Sequence, residues 1–268
     1  MVRISLLGVP HDDNSSFMRG PAEAPPLIRE KLHCDAYGEF SESGIEVCSR
    51  ERLIEHGDMR FDGSSDPWVL IEEKVAGLLE SGDPLICLGG DHAITHPIMR
   101  GVRRHHPRLT ILHIDAHPDL YHVFQGNPRS HACPFARIME EGLADRLIQV
   151  GLRSVNDHHR EQFRRFGVEA IEAARCGDAL RFDMTMPVYI SIDMDALDPA
   201  YAPGVSHREP GGLSPRQIIN WLHAIHQPIV AADIVEYNPR CDISSLTAGV
   251  AAKLLKEIAG MMVKNAPA

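Results

Sequence analysis

Short aliphatic and β-branched runs recur along the chain, each closed by Gly, Asp or Pro, and stretches with apolar positions three and four residues apart separate them. The runs predict strands at Arg3 to Val9, Leu85 to Leu88, Thr110 to Ile114, Leu147 to Val150, Val188 to Ile192 and Ile229 to Ile234, with a weaker one at Ile45 to Cys48. The helical spacing predicts helices at Ala24 to Leu32, Pro67 to Glu80, Thr95 to His105, Pro134 to Glu141, Asp157 to Phe166, Pro215 to His226 and Leu246 to Val263. Alternation of this kind makes a parallel sheet with helices on both faces. No repeat, low-complexity segment or linker divides the chain, so residues 1–268 are expected to form one domain.

In open parallel sheets ligands bind beyond the carboxyl ends of the strands. Three of the predicted strands run directly into polar motifs at that end. Leu85 to Leu88 continues into Gly89-Gly90-Asp91-His92, a turn on two residues without Cβ followed by an imidazole. Alone, this reads more simply as an ordinary loop. Thr110 to Ile114 continues into Asp115-Ala116-His117-Pro118-Asp119, and alternate residues on extended backbone point the same way. Extended geometry carried past Ile114 would therefore gather Asp115, His117 and Asp119 on one side. Val188 to Ile192 continues into Asp193-Met194-Asp195, with two more same-facing carboxylates.

Converging carboxylates repel one another and lose hydration unless a cation compensates them. Four carboxylates and two imidazoles exceed what one Zn²⁺ takes, and they differ from the usual catalytic zinc sets. They suit two ions of the Mn²⁺ type, about 3.5 to 4 Å apart, that make a water acidic near neutral pH. Metal-assisted hydrolysis is the chemistry these residues imply.

Composition narrows the setting. Hydrophobic residues at 44% and charged residues at 24% belong to an ordinary globular chain and exclude disorder. A formal charge of -10 disfavours nucleic acid, whose binding needs clustered Lys and Arg. Six scattered cysteines without a C-x-x-C pair suggest reduced thiols, the N-terminal apolar run is too short for the signal peptide of an exported chain, and no 18-residue apolar stretch appears. A cytoplasmic chain without membrane contact is the expectation. The pairs His105-His106 and His158-His159 read as surface residues, Met261-Met262 as core filling, and Arg19 and Arg29 as partners of unspecified carboxylates.

The motifs G-G-D-H at 89 to 92, D-A-H-P-D at 115 to 119 and S-I-D-M-D-A-L-D-P at 191 to 199 resemble the three metal motifs of the ureohydrolase family, which contains arginases and agmatinases. The likeness extends from the N-terminal L-G-V-P to D-I-V-E-Y-N-P at 233 to 239. D-A-H-P-D-L-Y, S-H-A-C-P-F-A-R-I-M-E, A-P-G-V-S-H-R-E-P-G-G-L and T-A-G-V-A-A-K-L are most similar to plant-type arginases, whose longer N-terminal leader the chain is expected to lack.

The resemblance implies a three-layer α/β/α fold around a parallel eight-stranded sheet, two Mn²⁺ or other divalent ions per subunit, and trimers or hexamers. It implies one ion held by His92, Asp115, Asp119 and Asp193 and the other by Asp115, His117, Asp193 and Asp195. It further implies that Glu236 grips a guanidinium, as a carboxylate suits a planar fork of donors. His131 and Asp119 would carry a proton to the departing amine. Asn127, Ser130 and Asn156 are candidates for the far end of the substrate, and the loop carrying His207 is expected to border the same cleft.

L-arginine, cleaved to ornithine and urea, is the substrate this likeness favours. Agmatine, cleaved to putrescine and urea, or another guanidino acid is the alternative. A catalytically silent member that binds metal or a guanidino ligand is the reading from another class.

Overall fold

The computed structural model describes residues 2–267. Strands form where the apolar runs lie: β1 (Ile4–Val9), β3 (Leu85–Gly89), β4 (Thr110–Ile114), β5 (Arg146–Leu152), β7 (Val188–Asp193) and β8 (Ile229–Val235). Two more, β2 (Leu53–Asp58) and β6 (Glu169–Glu172), complete the sheet without an apolar run to announce them. Both stand at edges. The eight strands pair in parallel in the order β2-β1-β3-β8-β7-β4-β5-β6. An edge strand packs fewer of its side chains, and in β2 only Leu53 is fully buried. The weaker run at Ile45 to Cys48 forms no strand; Val47 is buried in the core, and Glu46 makes only an isolated bridge to Phe40.

The helices follow the 3.6-residue spacing closely: α1 (Ala24–Leu32), α2 (Pro67–Leu79), α3 (Thr95–Arg103), α4 (Pro134–Glu140), α5 (Asp157–Phe166), α6 (Pro215–His223) and α7 (Leu246–Lys264). Strand alternation divides the core in two. Ile86 and Leu88 face the layer of α1, α6 and α7, whereas Leu85 and Cys87 face α2, α3 and α4, with Phe163 and Phe166 of α5 packed alongside. Met261 and Met262 fill the first of these layers. Arg19 pairs with Asp13 and Arg29 with Asp58, the latter at 2.7 Å.

Where β3 ends, the chain passes so close to the end of β1 that a Cβ on Gly90 would lie 1.8 Å from the carbonyl oxygen of His11. Only glycine permits that crossing, and it brings the loop after β1 against the loop after β3.

His96 of α3 is buried with both nitrogens engaged: Nδ1 accepts from Trp68 Nε1–H at 3.3 Å, and Nε2 meets Glu141 at 3.0 Å. Burial lowers its pKa to about 4, against the attraction of Glu141. The unfolded chain therefore takes this proton near pH 6.5, before the folded one does. The stabilisation is complete above pH 6.5 and is lost as pH falls towards 4, by an amount on the order of 3 kcal/mol at most. Urea unfolding at pH 7.5 and pH 5 should show a smaller loss of stability in His96→Gln than in wild type. Equal losses would remove His96 from the acid response.

Candidate metal centre

The four central strands β3, β8, β7 and β4 lie side by side, and their carboxyl ends deliver one residue group each: His92 after β3, Asp115, His117 and Asp119 after β4, Asp193 and Asp195 at the end of β7, and Glu236 after β8. Asp115, Asp119, Asp193 and Asp195 are buried together with His92. The extended geometry expected beyond Ile114 does not persist. Asp119 sits at φ 50°, a left-handed conformation, and Asp195 lies in a 3-10 turn, Met194–Ala196, that Asp193 caps. Turns, not strand alternation, bring these side chains together. Glu236 is left-handed too, at φ 62°. Non-glycine residues in that region carry strain that the surroundings must hold.

Each loop is braced by one oxygen of its own carboxylate. Asp115 Oδ1 accepts the N–H of His117 and Asp193 Oδ1 that of Asp195, both at 2.7 Å. The remaining oxygens face inward. His92 Nδ1 lies 3.2 Å from Asp115 Oδ2, 3.2 Å from Asp119 Oδ2 and 3.1 Å from Asp193 Oδ2. His117 Nδ1 lies 3.1 Å from Asp195 Oδ2, while Asp195 Oδ1 is buried without a hydrogen-bond partner among the described residues.

The proton on His92 can be placed from its other side. Ser191 Oγ donates its single hydrogen to Asp233 Oδ1 at 2.6 Å, so at 2.9 Å it accepts from His92 Nε2–H. Asp233 is held in turn by Thr95 and Tyr189. A neutral His92 therefore turns a lone pair towards three carboxylate oxygens, an arrangement only a cation or an added proton makes favourable. Burial opposes charge on His92, yet these three carboxylates raise its pKa well above the ordinary value. Burial, with repulsion from Asp195 and Asp115, likewise raises Asp193 well above the carboxylate range. Burial opposes charge on His117 too, and Asp195 and Asp115 push its pKa up to about 12. Protons are drawn to the places where a divalent ion would sit, so the donor set fits the two-ion site expected of it.

His113 adds a residue that strand spacing alone did not single out. It groups with His92 and Asp115, and Asp115 also groups with His117 and Asp195, in arrangements compatible with a metal ion. His113 Nδ1 accepts from Gln149 Nε2 at 2.9 Å, so Nε2–H donates to Asp115 Oδ2 at 2.8 Å. It orients a carboxylate and has no lone pair left to offer. The signal was present: His113 is two residues before Asp115 and shares its side of the strand.

Glu236 receives two hydrogen bonds on Oε1, from His92 N–H at 2.9 Å and His131 Nδ1–H at 2.8 Å. Burial raises its pKa, and the neighbouring His131 more than offsets this, so Glu236 stays ionised. It lines a cavity of about 470 Å³ together with Asp119, His131, Asp193, Asp195 and His117. His207 borders that cavity as expected.

The candidates for the substrate's far end fare differently. Asn156 lines the cavity, but its Oδ1 caps α5 through the N–H of His159 and its Nδ2 bonds Tyr121. Asn127 and Ser130 do not line it. The Asn127 amide bridges Asn14 and Arg129 N–H, and Ser130 Oγ accepts from Ala132 N–H. Ser154, Tyr121 and His159 stand at that wall. His159 is buried there against Tyr121, which corrects its reading as a surface residue: the capping box on Asn156 turns it inward.

Fold and site define a hydrolase built around two metal ions. The pattern of the arginase family matches residues 2–260, and the chain belongs to that family. It is 46% identical to arginase 1, mitochondrial, of Arabidopsis thaliana, across 97% of this chain and 81% of that one. It is 35% identical to an N(1)-aminopropylagmatine ureohydrolase of Thermus thermophilus, across 88% and 83%. The solved arginase of Medicago truncatula superposes with a TM-score of 0.91 at 45% identity, covering 97% of this chain and 87% of that one. The protein is thus a metal-dependent ureohydrolase acting on small guanidino substrates.

The cytoplasmic expectation is overturned. The similar arginases of Arabidopsis thaliana and Oryza sativa are named mitochondrial or chloroplastic, which speaks against that expectation. All six cysteines are unpaired, but reduced thiols do not separate one reducing compartment from another. Among the described residues no helix is long and apolar enough to cross a membrane.

Ser191→Ala removes the acceptor that orients His92 and should weaken metal binding by roughly 10- to 100-fold. Competition with a chromophoric chelator measures this. Wild-type affinity in the variant would show that the Asp233 network has no part in metal binding.

Proposed function

We propose that the chain hydrolyses L-arginine to ornithine and urea, using two Mn²⁺ ions. The observation that carries this reading is Glu236, an ionised carboxylate on the cavity wall whose two protein donors both fall on Oε1. Oε2 is left for a guanidinium, which a carboxylate binds through paired N–H donors. The likeness to plant arginases, over nearly all of the chain, favours arginine among guanidino compounds.

His92, Asp115, Asp119 and Asp193 would hold one ion and Asp115, His117, Asp193 and Asp195 the other, with Asp115 and Asp193 shared. When bound, the pair supplies Lewis acidity that brings the pKa of a water near neutral. The chain's own groups do the rest. Glu236 fixes the guanidinium plane so that one face of its carbon is turned to the carboxylate cluster. Water adds to that carbon and the bond to the amine nitrogen breaks. His131, with Asp119 nearby, supplies the proton the departing amine takes. The polar side chains of Ser154, Asn156 and Tyr121 on that wall suit a zwitterionic amino acid end, with Asn156 offering what its capping duty leaves over.

The agmatinase reading draws support from the relative named for N(1)-aminopropylagmatine and from the likeness to the solved agmatine ureohydrolase of Thermoplasma volcanium. A site whose polar groups match one tail rejects the other strongly. The family likeness supports association into trimers or hexamers as part of this reading; Ile243 and Leu246, both exposed near the start of α7, are available for such contacts.

With Mn²⁺ added, urea release should be faster from L-arginine than from agmatine, and the reverse order would assign the chain to agmatine. Asp115→Asn and Asp193→Asn should each abolish turnover and lower bound metal, as read by elemental analysis. Unchanged activity in both would make the observed urea release a contaminant's and leave the silent-member reading standing. Glu236→Gln should keep its metal and lose at least about 100-fold in kcat/KM, the scale of one charge-assisted contact in a desolvated site.

A further inference from the structure

The loop between β1 and α1 contributes nothing to the expected site, yet it reaches the cavity. Asn14 N–H and Ser15 Oγ donate to Asp91 Oδ2 at 2.9 and 3.3 Å, and His131 N–H donates to the carbonyl of Asn14 at 3.1 Å. The next residue, Ser16, lines the cavity beside His131. Its backbone N–H lies 3.2 Å from His131 Nε2 and its Oγ only 2.7 Å away.

These two contacts differ in kind. A backbone N–H can only donate, so it suits the neutral ring, whose single proton then sits on Nδ1 and is given to Glu236. On the charged ring Nε2 also bears a proton, which would oppose that N–H. A hydroxyl serves both states, because it donates to the lone pair and, after rotation, accepts from the N–H. We propose that Ser16 is a positioning residue for His131, its hydroxyl being the partner that Nε2 keeps in both protonation states of the ring. The inference rests on His131 as the proton donor of the reaction.

The charged groups facing His131 are the carboxylates of Glu236, Asp91 and Asp119, with the ring of His207 at 5.7 Å. Burial opposes charge on His131, yet these carboxylates raise its pKa to about 9. They favour the cation as a whole, and Glu236 takes the Nδ1 proton. Ser16 Oγ is the acceptor among the described residues that meets the Nε2 proton. In the step itself, the C–N bond breaks, the amine nitrogen's lone pair replaces Ser16 Oγ as acceptor and takes the Nε2 proton, and the ring returns to neutral with its proton on Nδ1. Ser16 N–H and O–H then both point at the vacated lone pair.

The charged ring is the active form, so activity is lost as pH rises through its pKa. Removing the acceptor disfavours that form and lowers the pKa. In the Mn²⁺-loaded enzyme, turning over its preferred guanidino substrate, Ser16→Ala should lower kcat roughly tenfold, the scale of losing a hydrogen bond to a charged group. The alkaline limb of kcat should move to lower pH by about one unit while KM changes little, and Ser16→Thr should restore both. Matched melting temperature and metal content show that the variants are folded. An alkaline limb in Ser16→Ala that coincides with wild type overturns the inference, as does an effect confined to KM. His131→Asn separates the two failures. If it keeps wild-type kcat, His131 is not the donor and both readings fall; if it loses kcat while Ser16→Ala leaves the limb in place, only the role of Ser16 falls.

Discussion

Four buried carboxylates meeting at one point are the constraint on which the rest of this structure depends. In a low-dielectric interior their repulsion and lost hydration are too costly to leave uncompensated, and they raise the proton affinity of His92, His117 and Asp193. A fold that keeps such a cluster must have positive charge there, and it must hold the loops against their tendency to separate. The parallel sheet meets the second demand by starting each loop from a central strand locked between neighbours. Strain at Asp119 and Glu236 is held by packing around both: Glu236 N–H bonds the carbonyl of Gly90, and the carbonyl of Asp119 receives Phe135 N–H at the start of α4.

Orientation is settled one layer further out. Asp233 is not in the cluster, yet its hold on Ser191 decides which nitrogen of His92 carries a hydrogen. Gln149 does the same for His113, and through it for one oxygen of Asp115. In each case a donor of fixed direction, an amide or a hydroxyl already committed elsewhere, turns an ambiguous imidazole into a defined one. Ser16 stands in the same relation to His131, with the difference that its hydroxyl can reverse direction when the ring gains a proton.

Much of this was legible in the chain. Interior strands such as Thr110–Ile114 must be apolar on both faces, and helices such as Ala24–Leu32 and Asp157–Phe166 must present one apolar stripe, so both leave a periodic trace. Edge strands need no such pattern, which is why Leu53–Asp58 and Glu169–Glu172 went unseen and Ile45 to Cys48 misled. The acidic motifs could be read because several charged residues clustered at a strand end demand explanation. How they converge could not, since a positive φ at an aspartate leaves no mark in the residue pattern. His113 lay within reach of the strand's own alternation, whereas Asn14 to Ser16 become part of the site only when Gly90 lets the ends of β1 and β3 cross.

The tail of the substrate was the least legible part, for a physical reason. Groups that touch a guanidinium or a metal ion must be charged, and charged residues in apolar surroundings stand out. Groups that touch an amino acid's polar end need only one donor or acceptor, and asparagines and serines supply these in every loop. Asn127 had both sides of its amide engaged by neighbouring loop groups, and Asn156 was drawn into capping α5. Residues of this kind are recruited first by the backbone groups beside them, because an unpaired buried amide is costly whether or not a ligand is present. What capping leaves of Asn156 at the outer wall is its Nδ2, given to the Tyr121 hydroxyl, with His159 packed against the Tyr121 ring.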